Sequence, residues 1–182
     1  ISDYPDIPLI IDPVLASGRG DKFIDIEARK MMMELLFPEA LLITPNSLEA
    51  RQLVSNESEG LDLPIEKCVG RLKEMGCENI LITGTHENTE KVINTLYSPS
   101  NKITPYHWDR LPGSYHGSGC TLTSAISAYY ALGLSIGEAI EEAQHFTWQT
   151  LKNAFKPGMG QLIPNRFFRA NDVEDDGKFT HH

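Results

Sequence analysis

The chain has 182 residues, of which 41% are hydrophobic and 23% are charged, and its formal net charge is −9. This length accommodates one sizeable core and is short for two. The acidic balance argues against a nucleic-acid-binding surface and against a polybasic membrane patch, since both need clustered Lys and Arg. Binding of any anionic ligand would therefore depend on local groups.

Short apolar runs alternate with longer helical patterns along the chain. The predicted elements are, in order, strand 9–11, helix 25–37, strand 40–43, helix 47–54, helix 64–75, strand 79–83, strands 91–97 and 102–108 as a hairpin or edge pair, and helices 119–132 and 136–154. This alternation predicts an α/β layered domain with a mostly parallel central sheet.

Polar residues follow three of the predicted strands. Asp12 follows the first strand, Asn46 and Glu49 follow the second, and Thr83-Gly84-Thr85-His86 follows the third. Ligands of parallel sheets bind beyond the carboxyl ends of the strands, so these residues form a candidate site. The carboxylates of Asp12 and Glu49 are suited to Mg²⁺. Two structural interpretations stay open: Asp12 as a turn residue, and Asn46 with Glu49 as a helix capping box.

A glycine-rich turn, His116-Gly117-Ser118-Gly119-Cys120, precedes the first of the two C-terminal helices. The N–H groups of Gly117, Ser118, Gly119 and Cys120 can converge on one point, where the positive end of the helix dipole favours phosphate. Cys120 lies in the first helical turn, where a thiol pKa is lowered and a thiolate can act as a base or nucleophile. The alternative is a capped helix start with a buried cysteine. We expect this turn to share a rim with the residues that follow the strands.

The three cysteines are Cys68, Cys77 and Cys120, an odd number without zinc-like spacing. Reduced thiols in a cytoplasmic protein are the simplest explanation, with Cys68 and Cys77 as inert fillers. No apolar run approaches the length of a membrane span, and no signal-peptide pattern is present. Residues 169–182 are predicted to form a disordered acidic tail.

Four motifs, in order, resemble hydroxymethylpyrimidine/phosphomethylpyrimidine kinase, a thiamine-pathway family of the ribokinase-like superfamily. They are Ile11-Asp12-Pro13-Val14 with Ser17-Gly18, Leu42-Ile43-Thr44-Pro45-Asn46-Ser47-Leu48-Glu49-Ala50, Leu81-Ile82-Thr83-Gly84-Thr85-His86, and His116-Gly117-Ser118-Gly119-Cys120-Thr121-Leu122. The resemblance runs from about residue 8 to residue 168. It implies a ribokinase-like α/β/α fold of three layers, with residues 1–168 as the C-terminal portion of a single kinase domain.

The resemblance also implies residue roles. Cys120 would be the base at the substrate hydroxymethyl group, in place of the aspartate usual in the superfamily, and Gly117 to Cys120 would form the anion hole. Asn46 and Glu49 would organise Mg-ATP, with Asp12 near the metal and phosphates. Residues 83–85 would contact the nucleotide, although many relatives have a lysine where this chain has Thr83.

The implied activity is ATP- and Mg²⁺-dependent phosphorylation of 4-amino-5-hydroxymethyl-2-methylpyrimidine and then of its monophosphate, by a cytoplasmic homodimer. A pyridoxal-type vitamin kinase and a non-catalytic pyrimidine or nucleotide sensor are the alternatives. Family members carry an N-terminal segment with most of the pyrimidine contacts, and nothing in this chain matches it. We therefore expect residues 1–182 alone to bind nucleotide weakly and not to phosphorylate the pyrimidine.

Overall fold

The computed structural model describes residues 3–15, 24–55 and 62–170. The Ser17-Gly18 part of the first motif and residues 171–182 of the predicted acidic tail lie outside the described residues. Within them, no helix is long and apolar enough to cross a lipid bilayer.

Each predicted strand and helix has a counterpart in the structure. The strands are β1 Leu9–Ile11, β2 Ala40–Ile43, β3 Asn79–Ile82, β4 Lys91–Tyr97 and β5 Ile103–Asp109. The helices are α1 Ile26–Leu35, α2 Ser47–Val54, α3 Ile65–Glu74, α4 Ser118–Ala131 and α5 Ile136–Lys152.

The helix predicted over residues 25–37 is shorter in the structure. α1 begins after the N-cap Asp25 and ends at Leu35, and a 3₁₀ helix, Phe37–Glu39, follows it. Pro38 explains the difference, because proline lacks an N–H donor and disfavours α-helical backbone at the residue before it.

The chain forms two compact units, Ile1–Arg110 and Leu111–His182. The first contains a five-stranded sheet in the order β1-β2-β3-β4-β5. β1, β2 and β3 are parallel to one another, whereas β3 with β4 and β4 with β5 are antiparallel. The sequence predicts a mostly parallel sheet, and the structure confines the parallel part to β1–β3. Residues 83–90 are too few for the helical crossover that a parallel β4 would need.

The core of the first unit lies between the sheet and the helices α2 and α3. Its buried apolar side chains include Phe37, Ile43, Leu53, Leu72, Ile80 and Tyr97. Cys68 and Cys77 are buried in the same core, as the sequence predicts. Burial raises the pKa of the Cys77 thiol to about 12, which keeps it protonated and unreactive near neutral pH.

The second unit is built on α4 and α5, which pack against each other. Small and polar side chains dominate their buried positions, among them Thr121, Thr123, Ala125, Ala139, Ala143 and Thr147. α5 starts at a capping box formed by Ser135 and Glu138. The prediction that residues 1–168 belong to a single kinase domain stays a prediction.

Gly84, two residues after the end of β3, lies against the backbone of β4. A Cβ atom at this position would lie 2.1 Å from the carbonyl oxygen of Ile93. We therefore expect Gly84→Ala to lower the free energy of unfolding by about 1–3 kcal/mol, since backbone must move to relieve the clash. Chemical denaturation followed by circular dichroism measures this change.

Gly70→Ala is the matched control, because a Cβ atom at Gly70 in α3 would meet nothing within 4 Å. This control should raise stability by roughly 0.5–1 kcal/mol, as expected for a helix-interior glycine. Equal stability of the Gly84→Ala and parent proteins would show that the close approach to Ile93 is not rigid.

Candidate functional site

The carboxyl ends of the three parallel strands bring the first group of predicted residues together. The N–H of Thr44 donates to the carbonyl of Ile11 over 3.0 Å, and the N–H of Thr83 donates to the carbonyl of Pro45 over 3.0 Å. Asn46 and Thr83 form a parallel bridge beyond the ends of β2 and β3. These hydrogen bonds continue the sheet past its strands and place Asn46 beside Thr83.

Asn46 and Glu49 form a reciprocal capping box at the start of α2. The Asn46 Oδ1 atom accepts from the N–H of Glu49, and the Glu49 Oε2 atom accepts from the N–H of Asn46, both over 2.9 Å. The capping-box interpretation is therefore confirmed. The box uses one oxygen of the Glu49 carboxylate, and the backbone of Leu15 also hydrogen-bonds that carboxylate.

Glu49 is coupled electrostatically to Asp12. Burial raises the pKa of Glu49 above its ordinary value, the hydrogen bond from the Asn46 N–H opposes this, and the nearby Asp12 charge raises the pKa further. Two neighbouring carboxylates of which one is desolvated make an unfavourable arrangement that a cation relieves.

Proteins usually bind Mg²⁺ through one or two carboxylates, and oxygens of phosphate and water complete the coordination. Asp12 and Glu49 fit that donor set. Among the described residues there is no group of three or more His, Cys, Asp or Glu side chains arranged to hold a metal ion. The described residues therefore do not form a metal site composed only of such side chains.

The loop after β3 contains the predicted nucleotide contacts. Thr83 is half-buried, Gly84 is buried and Thr85 is exposed. The N–H of Gly84 donates to the Asn94 Oδ1 atom over 3.1 Å, so this N–H is engaged within the protein. Farther along, Glu87 contacts Arg51 of α2 over 2.9 Å. The Ser47 hydroxyl and the Arg51 guanidinium lower the pKa of Glu87.

The glycine-rich turn opens α4, as the sequence predicts. Gly117 has a φ of +84°, in the left-handed region that favours glycine, and it is the N-cap of α4 without any side-chain cap. Its carbonyl accepts from both the N–H and the hydroxyl of Thr121, over 3.0 and 2.7 Å. Ser118 and Gly119 therefore begin a helix whose N-cap residue has no side chain that could cap it.

Cys120 lies in the first turn of α4 and is exposed, unlike Cys68 and Cys77. The alternative interpretation of Cys120 as a buried helix-start residue is therefore wrong. An exposed thiol at a helix N-terminus is accessible to a substrate. His116, at the other end of the turn, is also exposed, and its N–H donates to the carbonyl of Leu162 over 2.9 Å.

Arg166 is a neighbour of the turn that the sequence analysis missed. Its Nε atom donates to the Thr121 hydroxyl over 3.1 Å, and a Cβ atom at Gly117 would lie 3.3 Å from its Nη2 atom. The guanidinium thus lies alongside the start of α4. No local motif could have indicated this contact, because 45 residues separate Arg166 from Thr121.

The phosphomethylpyrimidine kinase family pattern matches residues 1–165, which is most of the chain. The chain belongs to the phosphomethylpyrimidine kinase family. The resemblance drawn from the four motifs is thereby confirmed.

Relatives in this family support the same assignment. A thiamine biosynthesis bifunctional protein of Geobacter sulfurreducens is 31% identical over 96% of the chain and 36% of its own length. The hydroxymethylpyrimidine/phosphomethylpyrimidine kinase of Bacillus subtilis is 30% identical over 95% of the chain and 64% of its own length. The chain thus spans about one third to two thirds of the length of these relatives.

Solved structures confirm the fold. The ADP complex of Bacillus subtilis pyridoxal kinase superimposes with a TM-score of 0.75 at 25% identity, over 88% of this chain and 61% of that one. The ribokinase-like α/β fold expected for this phosphomethylpyrimidine kinase family member is therefore correct. The predicted roles of individual residues, and a rim shared by the strand ends and the turn, stay predictions.

Proposed function

We propose that the protein is an ATP-dependent kinase that phosphorylates 4-amino-5-hydroxymethyl-2-methylpyrimidine and then its monophosphate. Membership of the phosphomethylpyrimidine kinase family is the observation that carries this proposal. The uncapped, glycine-led start of α4 supports it, since such a turn provides the N–H donors that phosphoryl transfer requires.

In the proposed reaction, the substrate hydroxyl oxygen attacks the γ-phosphorus of ATP. A bond forms between these two atoms, the bond from the γ-phosphorus to the β–γ bridging oxygen breaks, and ADP leaves. The Cys120 thiolate accepts the hydroxyl proton, and the N–H groups of residues 117–120 stabilise the charge on the transferring phosphoryl group. The exposure of Cys120 at the helix start supports this role.

We assign the Mg²⁺ that accompanies ATP to Asp12 and Glu49. Their coupled carboxylates support this assignment, because a divalent cation would offset the repulsion and the desolvation that raise the pKa of Glu49. When bound, Mg²⁺ neutralises phosphate charge during transfer. The backbone of Asn46 holds Glu49 in place through the capping box, while Thr83 and Thr85 are the proposed nucleotide contacts.

Arg166 supplies positive charge to the proposed phosphate-binding turn. The family resemblance implies a lysine at the position of Thr83, and Thr83 itself supplies a hydroxyl and no positive charge. The Arg166 guanidinium lies beside Gly117 and is oriented by Thr121. A guanidinium suits phosphate because it offers several fixed donors and a permanent charge.

A pyridoxal kinase is the second candidate, and the ADP-bound pyridoxal kinase with a TM-score of 0.75 favours it. Because the two activities share a fold and a phosphoryl donor, only the acceptor separates them. The relatives named for the pyrimidine substrate are 27–33% identical to this chain, and the matching family is that of phosphomethylpyrimidine kinase, which makes the pyrimidine the preferred acceptor.

A panel of acceptors tests the proposal. ADP formation by the full-length protein should depend on the pyrimidine, with kcat/KM well above that for pyridoxal. A preference for pyridoxal would assign the protein to the second candidate. Pyrimidine or nucleotide binding without any ADP formation would identify a non-catalytic sensor and refute the kinase proposal.

We further propose a cytoplasmic homodimer, with neither nucleic acid nor a membrane surface as a partner. Buried Cys68 and Cys77 within the core support a reducing compartment, and the net charge of −9 disfavours polyanionic partners. Light scattering of the purified full-length protein distinguishes a dimer from a monomer.

A further inference from the structure

The loop after β3 is held by Arg110. This residue follows β5, whose last residue, Asp109, pairs with Lys91 at the start of β4, so the loop and Arg110 lie at the same end of the β4–β5 hairpin. The three guanidinium nitrogens of Arg110 reach three loop carbonyls. Nε donates to Thr89 over 3.2 Å, Nη1 to Thr85 over 3.0 Å and Nη2 to Glu87 over 2.9 Å. One side chain therefore fixes alternate peptide groups along the loop.

This loop has few other connections to the remainder of its unit. Its start is fixed by backbone hydrogen bonds of Thr83 with Pro45 and Ser47 and by the bond from the Gly84 N–H to Asn94. Its middle is fixed by the ion pair of Glu87 with Arg51, and its end by the bond from the Thr89 hydroxyl to the Lys91 carbonyl over 2.6 Å. Between and beyond these points, the residues at 85, 86 and 88–90 are exposed. The carbonyl of Thr85, which lies between the first two of these points, is held by Arg110.

We propose that Arg110 is a positioning residue for the nucleotide: it holds the loop of residues 84–89 in the conformation that offers Thr85 to ATP, next to Thr83, which backbone hydrogen bonds with Pro45 and Ser47 already fix. This inference rests on the proposed function, which makes these threonines nucleotide contacts. A preorganised loop binds more tightly, because the entropy of ordering it is not lost on binding. Arg110 touches neither acceptor nor reacting atoms in this role, so it affects nucleotide affinity rather than chemistry.

Lysine cannot replace arginine in this role. A guanidinium has donors in a rigid planar fork that can reach three carbonyls at once, whereas an ammonium is a single point charge on a flexible stem. Arg110→Lys therefore retains the charge and loses the clamp, and Arg110→Met retains the apolar stem and loses both. Comparing the two separates hydrogen-bond geometry from charge.

The test measures steady-state kinetics, AMP-PCP binding by calorimetry and hydrogen exchange of the loop amides in the full-length protein. Both Arg110 variants should raise KM for ATP and Kd for AMP-PCP by about five- to tenfold, keep kcat within about twofold and exchange the amides of residues 85–89 faster. Lys91→Gln is the control. Lys91 forms an exposed ion pair with Asp109, next to Arg110, over 3.6 Å.

Three outcomes overturn the inference. AMP-PCP affinity that is unchanged despite faster loop exchange would make Arg110 a purely structural residue. Unchanged exchange would show that Arg110 does not hold the loop, and an equal loss of affinity in Lys91→Gln would assign the effect to surface charge. A parent protein that binds AMP-PCP without phosphorylating any acceptor would refute the proposed activity, yet the affinity comparison would still decide the role of Arg110.

Discussion

Replacing Cys120 by alanine in the full-length protein is expected to slow the first phosphorylation by about 10²–10⁴-fold, the range typical for loss of a general base, while ATP binding survives. The proposed anion hole consists of backbone N–H groups at the start of α4, which alanine retains. The substitution therefore removes only the thiol. Single-turnover rates and calorimetric titration with AMP-PCP separate the loss of chemistry from any loss of binding.

Cys77→Ala is the matched control for this substitution. It also deletes a thiol, but from a buried position where burial raises the pKa to about 12 and prevents acid–base chemistry near neutral pH. Its rate per folded molecule should equal that of the parent protein, although its stability should fall. Full activity of Cys120→Ala in both phosphorylations would show that the base must be sought elsewhere.

Cys120→Asp distinguishes the two phosphorylation steps. Aspartate mimics the base usual in the superfamily, but its fixed charge next to the turn repels the phosphate already present on the monophosphate. We expect any rescue by aspartate to favour the first step over the second. Equal rescue of both steps would show that the monophosphate does not approach this position.

The second large effect is expected for Glu49→Gln, which should lower turnover and raise the Mg²⁺ concentration needed for half-maximal activity by about 10–100-fold, comparable to removing a group that orients a bound metal. Glutamine retains the size of the side chain and an oxygen that can accept from the Asn46 N–H, so the capping box can persist. A Mg²⁺ titration of the rate measures both quantities.

Glu138→Gln provides a control with the same local structure. Glu138 forms a capping box with Ser135 at the start of α5 and is exposed. Glu138→Gln therefore tests the effect of replacing a capping carboxylate that is not a proposed Mg²⁺ ligand. Its rate and Mg²⁺ dependence should match those of the parent protein. Glu49 would be only a helix-start residue if Glu49→Gln behaved in the same way.

Stability gives an independent view of the Glu49 carboxylate. The pKa of Glu49 is raised in the folded state, so folding disfavours the ionised carboxylate. The free energy of unfolding of the parent protein should therefore rise as the pH falls from above the pKa of the folded state towards the pKa of the unfolded state. Glu49→Gln lacks this titration and should be at least as stable as the parent protein at neutral pH without Mg²⁺. Adding Mg²⁺ should raise Tm in the parent protein only.

Much of the fold could be predicted because its elements carry local signals. Short apolar runs bounded by Pro, Asn and Asp indicate β1 and β2, and the Asn-x-x-Glu spacing predicts the capping box at Asn46 and Glu49. The antiparallel half of the sheet follows from the short connection at residues 83–90, once both flanking strands are recognised.

The contacts that sequence patterns do not predict connect residues far apart in the chain. Arg110 reaches carbonyls 21–25 residues earlier, and Arg166 reaches Thr121 across 45 residues. The close approach of Gly84 to Ile93 is likewise visible only once β4 is placed. Such contacts depend on how helices, strands and loops pack against one another. Residue spacing predicts only the structure of a single helix, strand or turn.

Identification of the reaction products tests the central claim most directly. The full-length protein is incubated with the hydroxymethylpyrimidine, ATP and Mg²⁺, and the products are followed over time by mass spectrometry and phosphorus NMR. The account predicts that the pyrimidine monophosphate forms first, that the diphosphate follows, and that one ADP appears for each phosphoryl group transferred. Recovery of unmodified pyrimidine, with or without ATP consumption, would contradict it.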